Sequence, residues 1–369
     1  TPPFPTLTEP ASPAGTDPRT LTTLSQSGQF VVVGPRPDRT RPLETRNVGN
    51  PERDLTPQTL AVSCERVKAE VLRALDLTDT WRSGGGRTGK IFVEIPVRRR
   101  SEPLLAVQAV PFEEGWNFRL LVPQSSQEDR LVRAITQAVL MELGSRKRNA
   151  RAAEPPLWLV EGLTQAVLAG APDGIILQPQ TRLSTDLRLD ESLAGVRARL
   201  SRKPALSFHE LSQPDLTRLE PADWPLYSAC SQLLVRELTR LPEGRPHLRR
   251  WIGSMQETWN WQTGFIEAFE AHFRSLLDVE KWWSIAVANF TGRSAGLTWP
   301  PAFALQKLDE ALRPVGVLPS AGNRASRLSL EEVISTWDYN RQVPLLRQLL
   351  QQLTAIRINA PADVTALVF

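Results

Sequence analysis

The segment from Glu128 to Ala169 constrains the fold more than any other part of the chain, because it predicts two consecutive helices. Residues 128–143 place apolar side chains on one side at helical spacing, which is the pattern of a long amphipathic helix. Residues 157–169 are mostly apolar, and Pro155 and Pro156 stand directly before them, where a helix tolerates proline. A short loop then joins the two predicted helices.

Strand patterns precede this segment. Short runs rich in β-branched and aromatic residues, bounded by glycine or proline, are typical of β-strands. Two of these runs flank the stretch "PFEEG", as the arms of a hairpin do, and a helical pattern at residues 59–77 lies among them. The predicted strands are residues 29–34, 90–97, 104–110 and 116–122.

Beyond Gly170 the pattern is helical, with long loops and no internal repeat. We therefore predict an α+β fold, in which a small mixed sheet and the two helices above are followed by an all-helical C-terminal half. The predicted division is an extended arm at 1–57 with one short strand, an α+β domain at 58–170 and a helical region at 171–369. The predicted helices of that region are residues 226–241, 249–259, 265–277, 279–290, 301–313 and 330–353, where Pro344 favours a break in the last.

The first 57 residues are rich in proline, with 11 of the 31 prolines of the chain. Proline lacks the amide donor and fixes φ, so this segment is not expected to form a helix. It predicts either a free extended tether or an arm that lies on a partner. The chain starts at Thr1 without a methionine, and we expect a processed product whose signal peptide has been removed.

Composition limits the chemistry. Forty-four basic residues against 40 acidic ones give a net charge of +4, which is too small and too dispersed to require a nucleic-acid partner. No run of about 18 apolar residues is present, so no transmembrane segment is expected. Only 3 histidines and 2 cysteines occur, which argues against any site that needs many imidazole or thiolate ligands.

The two cysteines, Cys64 and Cys230, leave two alternatives open. They can form a disulfide in an oxidising compartment, or they can remain buried thiols.

Two short motifs resemble functional ones without matching them. "GGGRTGK" at residues 84–90 lacks the hydroxyl residue of a phosphate-binding loop, and its glycines open a strand instead of a helix. "HELSQ" at residues 209–213 resembles the zinc-binding H-E-x-x-H helix, but Pro214 directly after it disfavours helical geometry at Gln213. We interpret the first as a flexible loop and the second as a short surface turn.

The 11 tryptophans are expected to be mostly core residues. Trp259 and Trp261 lie near a predicted helix end, and they are the candidates for an exposed aromatic surface that binds glycan or peptide.

The second helix of the Glu128–Ala169 segment carries a family resemblance. "PPLWLVEGLTQAVLA" is similar to the helix that bears the third zinc ligand, a glutamate, in gluzincin-type zinc metallopeptidases of the M1/M61-like peptidase MA group. The preceding "RLVRAITQAVLMEL" resembles their zinc-binding helix in length and amphipathicity, and Thr136 suits the residue before the second histidine. The resemblance covers roughly residues 58–245 and implies a zincin fold. The matching motif positions are Pro156, Trp158, Leu159, Glu161 and Gly162.

The resemblance also implies which residues stand at the metal positions. Arg133 takes the place of the first histidine, Ala134 that of the catalytic glutamate and Gln137 that of the second histidine. Catalytic zinc needs about three protein ligands and an open position. A guanidinium repels the ion, an amide binds it weakly, and Ala134 removes the general base. We therefore expect a degenerate peptidase without metal or other cofactor, in which Arg133 forms an ion pair with Glu161 in place of the zinc ion.

Three functions remain open at this point. The first is a non-enzymatic exported protein that binds or supports a protein partner through its N-terminal arm or its helical half. The second is a hydrolase with non-standard ligands or a relocated site, and the third is a glycan or peptidoglycan binder. The proline-rich leader, the missing methionine and the resemblance to exported peptidases favour the periplasm or envelope of a bacterium.

Overall fold

The structure is a computed structural model of the 369-residue chain. It describes residues 19–36, 52–81, 89–96, 105–112, 115–147, 149–171, 174–177, 193–214, 222–292, 299–317 and 325–367.

The chain divides into two compact units. The first unit comprises Thr1–Pro155, Leu163–Asp190 and Arg249–Trp261, and the second comprises Pro156–Gly162, Glu191–Leu248 and Gln262–Phe369. This division differs from the predicted boundary near residue 170, because the chain passes between the units more than once.

Polar contacts over long sequence distances explain why Arg249–Trp261 belongs to the first unit. The Asn149 side chain donates to the carbonyl of Gln256 at 3.0 Å, and Arg151 donates to the carbonyl of Met255 at 3.0 Å. Pairings between residues more than a hundred positions apart leave no local signal in the sequence.

The first unit contains a five-stranded mixed sheet. Its strands are β1 (Thr20–Leu24), β2 (Phe30–Pro35), β4 (Ile91–Glu94), β5 (Val107–Phe112) and β6 (Gly115–Leu121). The strand order is β1-β2-β4-β6-β5, in which the β2–β4 and β4–β6 pairs are parallel, whereas β1 and β5 pair antiparallel at the two edges. A separate antiparallel pair joins β3 (Glu52–Asp54) to β7 (Ser125–Gln127).

Helices α1 (Pro57–Ala74) and α2 (Glu128–Gly144) pack against this sheet and against each other. Thr56 caps α1 in a reciprocal capping box with Thr59, and Pro57 occupies the first turn, where its missing amide costs nothing. Phe30 and Val32 of β2 are fully buried, whereas Val31 and Val33 are half-buried. That alternation with period two is why this run forms a strand with one face in the core.

The predicted strands and helices of residues 58–170 are confirmed in order and type, but the N-terminal segment holds more structure than predicted. Within residues 1–57 we predicted one strand, whereas the structure has β1, β2 and β3. The sequence of β1, "TLTTL", has few apolar residues and none that is buried, so it gives little indication of a strand. It forms the edge of the sheet because its backbone pairs with β2. Residues 1–18 and 37–51, on which the tether or arm prediction rests, lie outside the described residues.

The second unit is mainly helical. Helix α3 (Leu157–Gly170) begins in this unit and ends in the first. The other helices are α4 (Ala194–Arg202), α5 (Phe208–Ser212), α6 (Trp224–Arg240), α7 (Gly244–Ser254), α8 (Trp261–Ala268), α9 (Leu276–Thr291), α10 (Pro301–Leu312), α11 (Leu330–Thr336), α12 (Tyr339–Asn359) and α13 (Ala362–Thr365), with α7 shared between the units. Helix α6 contacts α4, α5 and α9, and α12 contacts α5, α9 and α10.

The predicted break near Pro344 was misplaced. The chain breaks between α11 and α12, where the Asp338 side chain accepts the backbone N–H of Arg341 at 3.1 Å and so starts α12. Pro344 lies in the second turn of α12, inside the helix. The helical half also contains a short antiparallel pair, β8 (Val315–Val317) with β9 (Ala325–Arg327), which the sequence did not predict.

The described elements form an α+β fold with a small mixed sheet, as predicted. Within the described ranges, no helix combines the length and the apolar character that crossing a membrane would require.

Candidate functional site

Helix α2 carries the residues that the resemblance places at the metal positions of a peptidase motif. Arg133 and Gln137 are one turn apart, so they share a face of the helix. They are the two residues of 131–144 that are only half-buried. Ala134 is 2% exposed and Thr136 is fully buried, which places them among the packed faces of α2. The polar stripe of Arg133 and Gln137 is therefore the chemically distinct part of this helix.

The first half of α3 carries the other motif residues. Trp158, Leu159 and Glu161 are all fully buried. The Trp158 ring meets the Phe265 ring edge to face, with 6.2 Å between the centroids. This burial explains the apolar sequence of the helix, and it makes Glu161 a carboxylate in the interior of the protein.

The Glu161 carboxylate is held by a hydroxyl of the second unit. The Oγ atom of Ser228 on α6 donates to Oε1 of Glu161 at 2.5 Å, and Ser228 is itself 7% exposed. A buried carboxylate is costly unless hydrogen-bond donors stabilise it, and a bond to a charged acceptor is stronger than a neutral one. No local motif marks Ser228 in the sequence.

Tyr227, next to Ser228, reports the same electrostatic environment. Burial raises the pKa of the Tyr227 hydroxyl well above its ordinary value, and the nearby Glu161 charge raises that pKa further. The neutral hydroxyl donates to the carbonyl of Leu211 at 3.1 Å. Tyr227 is therefore a neutral hydrogen-bond donor at physiological pH and is unsuited to act as a base.

Gly162, which the resemblance aligns with the motif glycine, has a packing role. A Cβ atom at this position would lie 2.5 Å from the carbonyl oxygen of Ser231 and 2.5 Å from Cγ2 of Val235. Both contacts come from α6, so only glycine allows α3 and α6 to approach this closely. The Glu161-Gly162 pair thus has a structural explanation that does not involve a metal ion.

The residues that the resemblance places at the metal positions do not fit a zinc ion. The α2 face offers a guanidinium and an amide, and the Glu161 carboxylate already accepts the Ser228 hydroxyl. Among the described residues, no group of three or more His, Cys, Asp or Glu side chains is arranged to hold a metal ion. Arg133 belongs to the first unit and Glu161 to the second, and the ion pair between them stays a prediction.

The two short motifs that resemble functional ones, "GGGRTGK" and "HELSQ", have different outcomes in the structure. For "GGGRTGK", residues 82–88 lie outside the described part of the chain, but the motif follows α1 and precedes strand β4, as predicted.

"HELSQ" is not a surface turn. It is the short helix α5, capped reciprocally by Ser207 and Glu210, in which Phe208 and Leu211 are buried. The apolar residues between the polar ones pull this segment into the core, and the helix ends before Gln213, as Pro214 predicts.

Around α5 lies a cluster of titratable groups that sequence reasoning missed. Lys307 pairs with Glu210 at 2.7 Å. Burial raises the pKa of Glu210, but this ion pair and the hydrogen bonds from Ser207 together outweigh burial and hold that pKa below its usual value. Burial lowers the pKa of His209. Glu280 on α9 is 5% exposed and accepts the backbone N–H of His209 at 3.2 Å.

Burial raises the pKa of Glu280 to about 7, against the opposing effect of its backbone hydrogen bonds. No motif marks Glu280 in the sequence, because the residues around it are distant along the chain.

Both cysteines are free, buried thiols, which is the second of the two alternatives left open by the sequence. Burial raises the pKa of each thiol far above its ordinary value. Cys64 and Cys230 are therefore unreactive toward electrophiles in the folded protein.

The tryptophan candidates differ in exposure. Trp259 is 91% exposed, and the Arg151 guanidinium lies 4.7 Å from its ring centroid. Trp261 is half-buried and packs against Trp251, with ring centroids 5.9 Å apart. Of this pair, Trp259 is the one available to a ligand.

No family model matches the chain, and no curated protein or solved structure shows significant similarity to it.

Proposed function

We propose that this chain is a non-catalytic exported protein built on a degenerate zinc-peptidase scaffold, which acts in binding or structural support. The observation that carries the proposal is the state of Glu161, a fully buried carboxylate that accepts a serine hydroxyl. A buried glutamate whose carboxylate is hydrogen-bonded to a protein hydroxyl has a structural role in the core. Arg133, Ala134 and Gln137 on α2 provide neither the imidazoles nor the base of a zinc hydrolase.

Metal content is the direct test. The full chain, purified without chelators, is analysed by inductively coupled plasma mass spectrometry and titrated with zinc in a calorimeter. We expect far less than one zinc ion per chain and no saturable binding below the millimolar range. Stoichiometric zinc, together with peptidase activity that a chelator abolishes, would instead establish the alternative of a hydrolase with non-standard ligands.

A second experiment tests the scaffold itself. The triple variant R133H/A134E/Q137H restores the complete motif on α2. If the resemblance reflects a true peptidase scaffold, the variant gains zinc affinity with Glu161 as third ligand, and adding Glu161→Gln reduces that affinity at least tenfold. Equal affinities with and without Glu161→Gln would mean that the two histidines bind zinc alone, and the scaffold proposal would fail.

The glycan-binding alternative is favoured by one observation, the exposure of Trp259. An exposed indole stacked on a guanidinium offers a flat apolar face to a sugar ring. Binding of soluble peptidoglycan fragments that is lost in Trp259→Ala, and kept in Trp251→Phe, would support this reading. Equal binding by all three proteins, or none, would remove it.

Export and partner binding are part of the same proposal. The proline-rich composition of residues 1–57 supports an extended arm that contacts a protein partner in the periplasm or envelope. Cross-linking in the native host, comparing the full chain with a variant lacking residues 1–18, tests this. An unchanged set of cross-linked proteins would show that residues 1–18 of the arm are not the contact.

A further inference from the structure

A cleft of about 410 Å³ lies within the second unit, between helices α4, α6 and α9. This volume falls in the range of pockets that enclose organic ligands. All of its lining residues belong to the second unit, and none belongs to α2 or α3. The cleft is therefore separate from the residues of the degenerate peptidase motif.

Three arginines line the cleft, Arg197 on α4 and Arg236 and Arg240 on α6. Glu237 is the one carboxylate among the lining residues. It lies 2.8 Å from Arg236 and 3.6 Å from Arg240, so a single negative charge is shared by two guanidinium groups. The lining side chains therefore carry a net positive charge, which attracts anions.

Two of the guanidiniums are fixed in position by the same aromatic residue. Arg197 donates from Nε to the carbonyl of Phe290 at 3.0 Å, and its Cζ atom lies 5.0 Å from the centroid of the Phe290 ring. The Cζ atom of Arg236 lies 5.4 Å from the same centroid. Because Phe290 is 8% exposed, it forms a rigid base for both cations. Preorganised guanidiniums lose less entropy when they bind an anion.

The arginines keep donors available for a ligand. Within the described part of the chain, Arg197 uses one hydrogen bond, and Arg240 has only its 3.6 Å ion pair with Glu237. Each guanidinium carries five N–H donors in a planar fork that matches a carboxylate or a phosphate.

The α9 side of the cleft is mainly apolar, with Asn289 as its one polar lining residue. Trp282, Ile285 and Ala286 line it, and Ile285 is 53% exposed. A ligand that covers this exposed aliphatic side chain removes apolar surface from water, which makes binding more favourable. The cleft thus combines an anion-binding side with an apolar side.

We propose that the cleft between α4, α6 and α9 binds an amphipathic organic anion, in which a carboxylate or phosphate group is attached to an apolar body. The anionic group is held by Arg197, Arg236 and Arg240, and the apolar body covers Ile285 and Trp282. This site is an addition to the proposed scaffold function, and neither depends on the other.

Octyl phosphate and octanoate are the probes, titrated below their micellar concentrations by calorimetry. Inorganic phosphate and octanol test each half of the ligand separately. We expect both amphipathic anions to bind one per chain, and each half alone to bind at least tenfold more weakly. Affinity for octyl phosphate should fall as salt concentration rises, since the arginines are partly exposed. No measurable binding of either amphipathic anion would overturn the proposal.

Variants then locate the site. Arg197→Gln and Arg240→Gln should each weaken octyl phosphate binding at least fivefold, whereas Arg199→Gln, an exposed change on α4 outside the cleft, should leave it unchanged. Ile285→Glu places a carboxylate in the cleft at an exposed position that the fold tolerates, and it should abolish binding. Leu277→Glu, on α9 outside the cleft, is its control. Unchanged affinity in Ile285→Glu would show that the anion binds elsewhere.

The anion can come from a free metabolite or from a lipid headgroup. Vesicles containing phosphatidylglycerol, compared with pure phosphatidylcholine vesicles in a sedimentation assay, distinguish these sources. Sedimentation with anionic vesicles that octyl phosphate reverses would assign the site to lipid. Octyl phosphate binding without sedimentation would assign it to a free organic anion.

Discussion

Glu161 on α3 and Ser228 on α6 are both buried, and the serine hydroxyl donates to the carboxylate at 2.5 Å. This bond links the helix that bears the family motif to the helix that packs against it. It also gives this buried carboxylate a hydrogen-bond donor from within the protein.

Replacing the donor should expose the cost of burying this carboxylate. Ser228→Ala leaves Oε1 of Glu161 without the hydroxyl, and we expect the free energy of unfolding to fall by about 1–3 kcal/mol. Urea denaturation followed by circular dichroism measures the change. Ser335→Ala, at an exposed position on α11, should change it by less than about 0.5 kcal/mol. A Ser228→Ala variant as stable as the wild type would mean that the bond contributes nothing.

The predicted ion pair between Arg133 and Glu161 is tested by a double-mutant cycle. If the two charges interact, Arg133→Met and Glu161→Gln should each destabilise the fold strongly, because each leaves the other charge unpaired. The double variant should then be more stable than the sum of the two losses by about 1–3 kcal/mol. Additive losses would contradict the pair, since independent residues show no coupling energy.

The strands of the sheet core could be predicted because their side chains carry the signal. β2 and β4 are runs of Val, Ile and Phe, and their buried positions alternate. β1 escaped prediction because its threonines are compatible with a loop, and its pairing with β2 is a backbone interaction. The place of Arg249–Trp261 in the first unit depends on contacts with Asn149 and Arg151, far away in the sequence.

The candidate site was predictable only in part. Glu161 is marked by the motif around it, but Ser228 stands 67 residues further along the chain, and no local pattern connects them. The arginine cleft could not be predicted either, because Arg197, Arg236 and Phe290 meet only through the packing of three helices. Side chains that meet only in three dimensions give no spacing rule to recognise.

Gly162 offers a test of the close packing of α3 on α6. Gly162→Ala would bring a methyl group within 2.5 Å of the Ser231 carbonyl oxygen, which is backbone and cannot move aside freely. We expect a loss of about 2–4 kcal/mol in the free energy of unfolding. Gly253→Ala, in helix α7 with nothing within 4 Å of the added atom, is the matched control and should stabilise by up to about 1 kcal/mol. Equal effects of the two changes would refute the packing argument.

Glu280 predicts a dependence of stability on pH with a definite sign. Burial raises its pKa from an ordinary 4.5 to about 7 in the folded protein. Between these values the folded state holds the proton and the unfolded state has lost it. The contribution of this group to stability is therefore greatest below pH 4.5, declines as pH rises and levels off above pH 7.

Glu280→Gln removes this titration but keeps an oxygen that can accept the His209 N–H. The difference in unfolding free energy between variant and wild type should therefore shift in favour of the variant between pH 4 and pH 8, by on the order of 2–3 kcal/mol. Denaturation curves at both pH values measure the shift, and Glu270→Gln, an exposed change in the same unit, should show almost none. A difference that is constant with pH would mean that the pKa of Glu280 is the same in the folded and unfolded states, so that the effect of its burial is fully compensated.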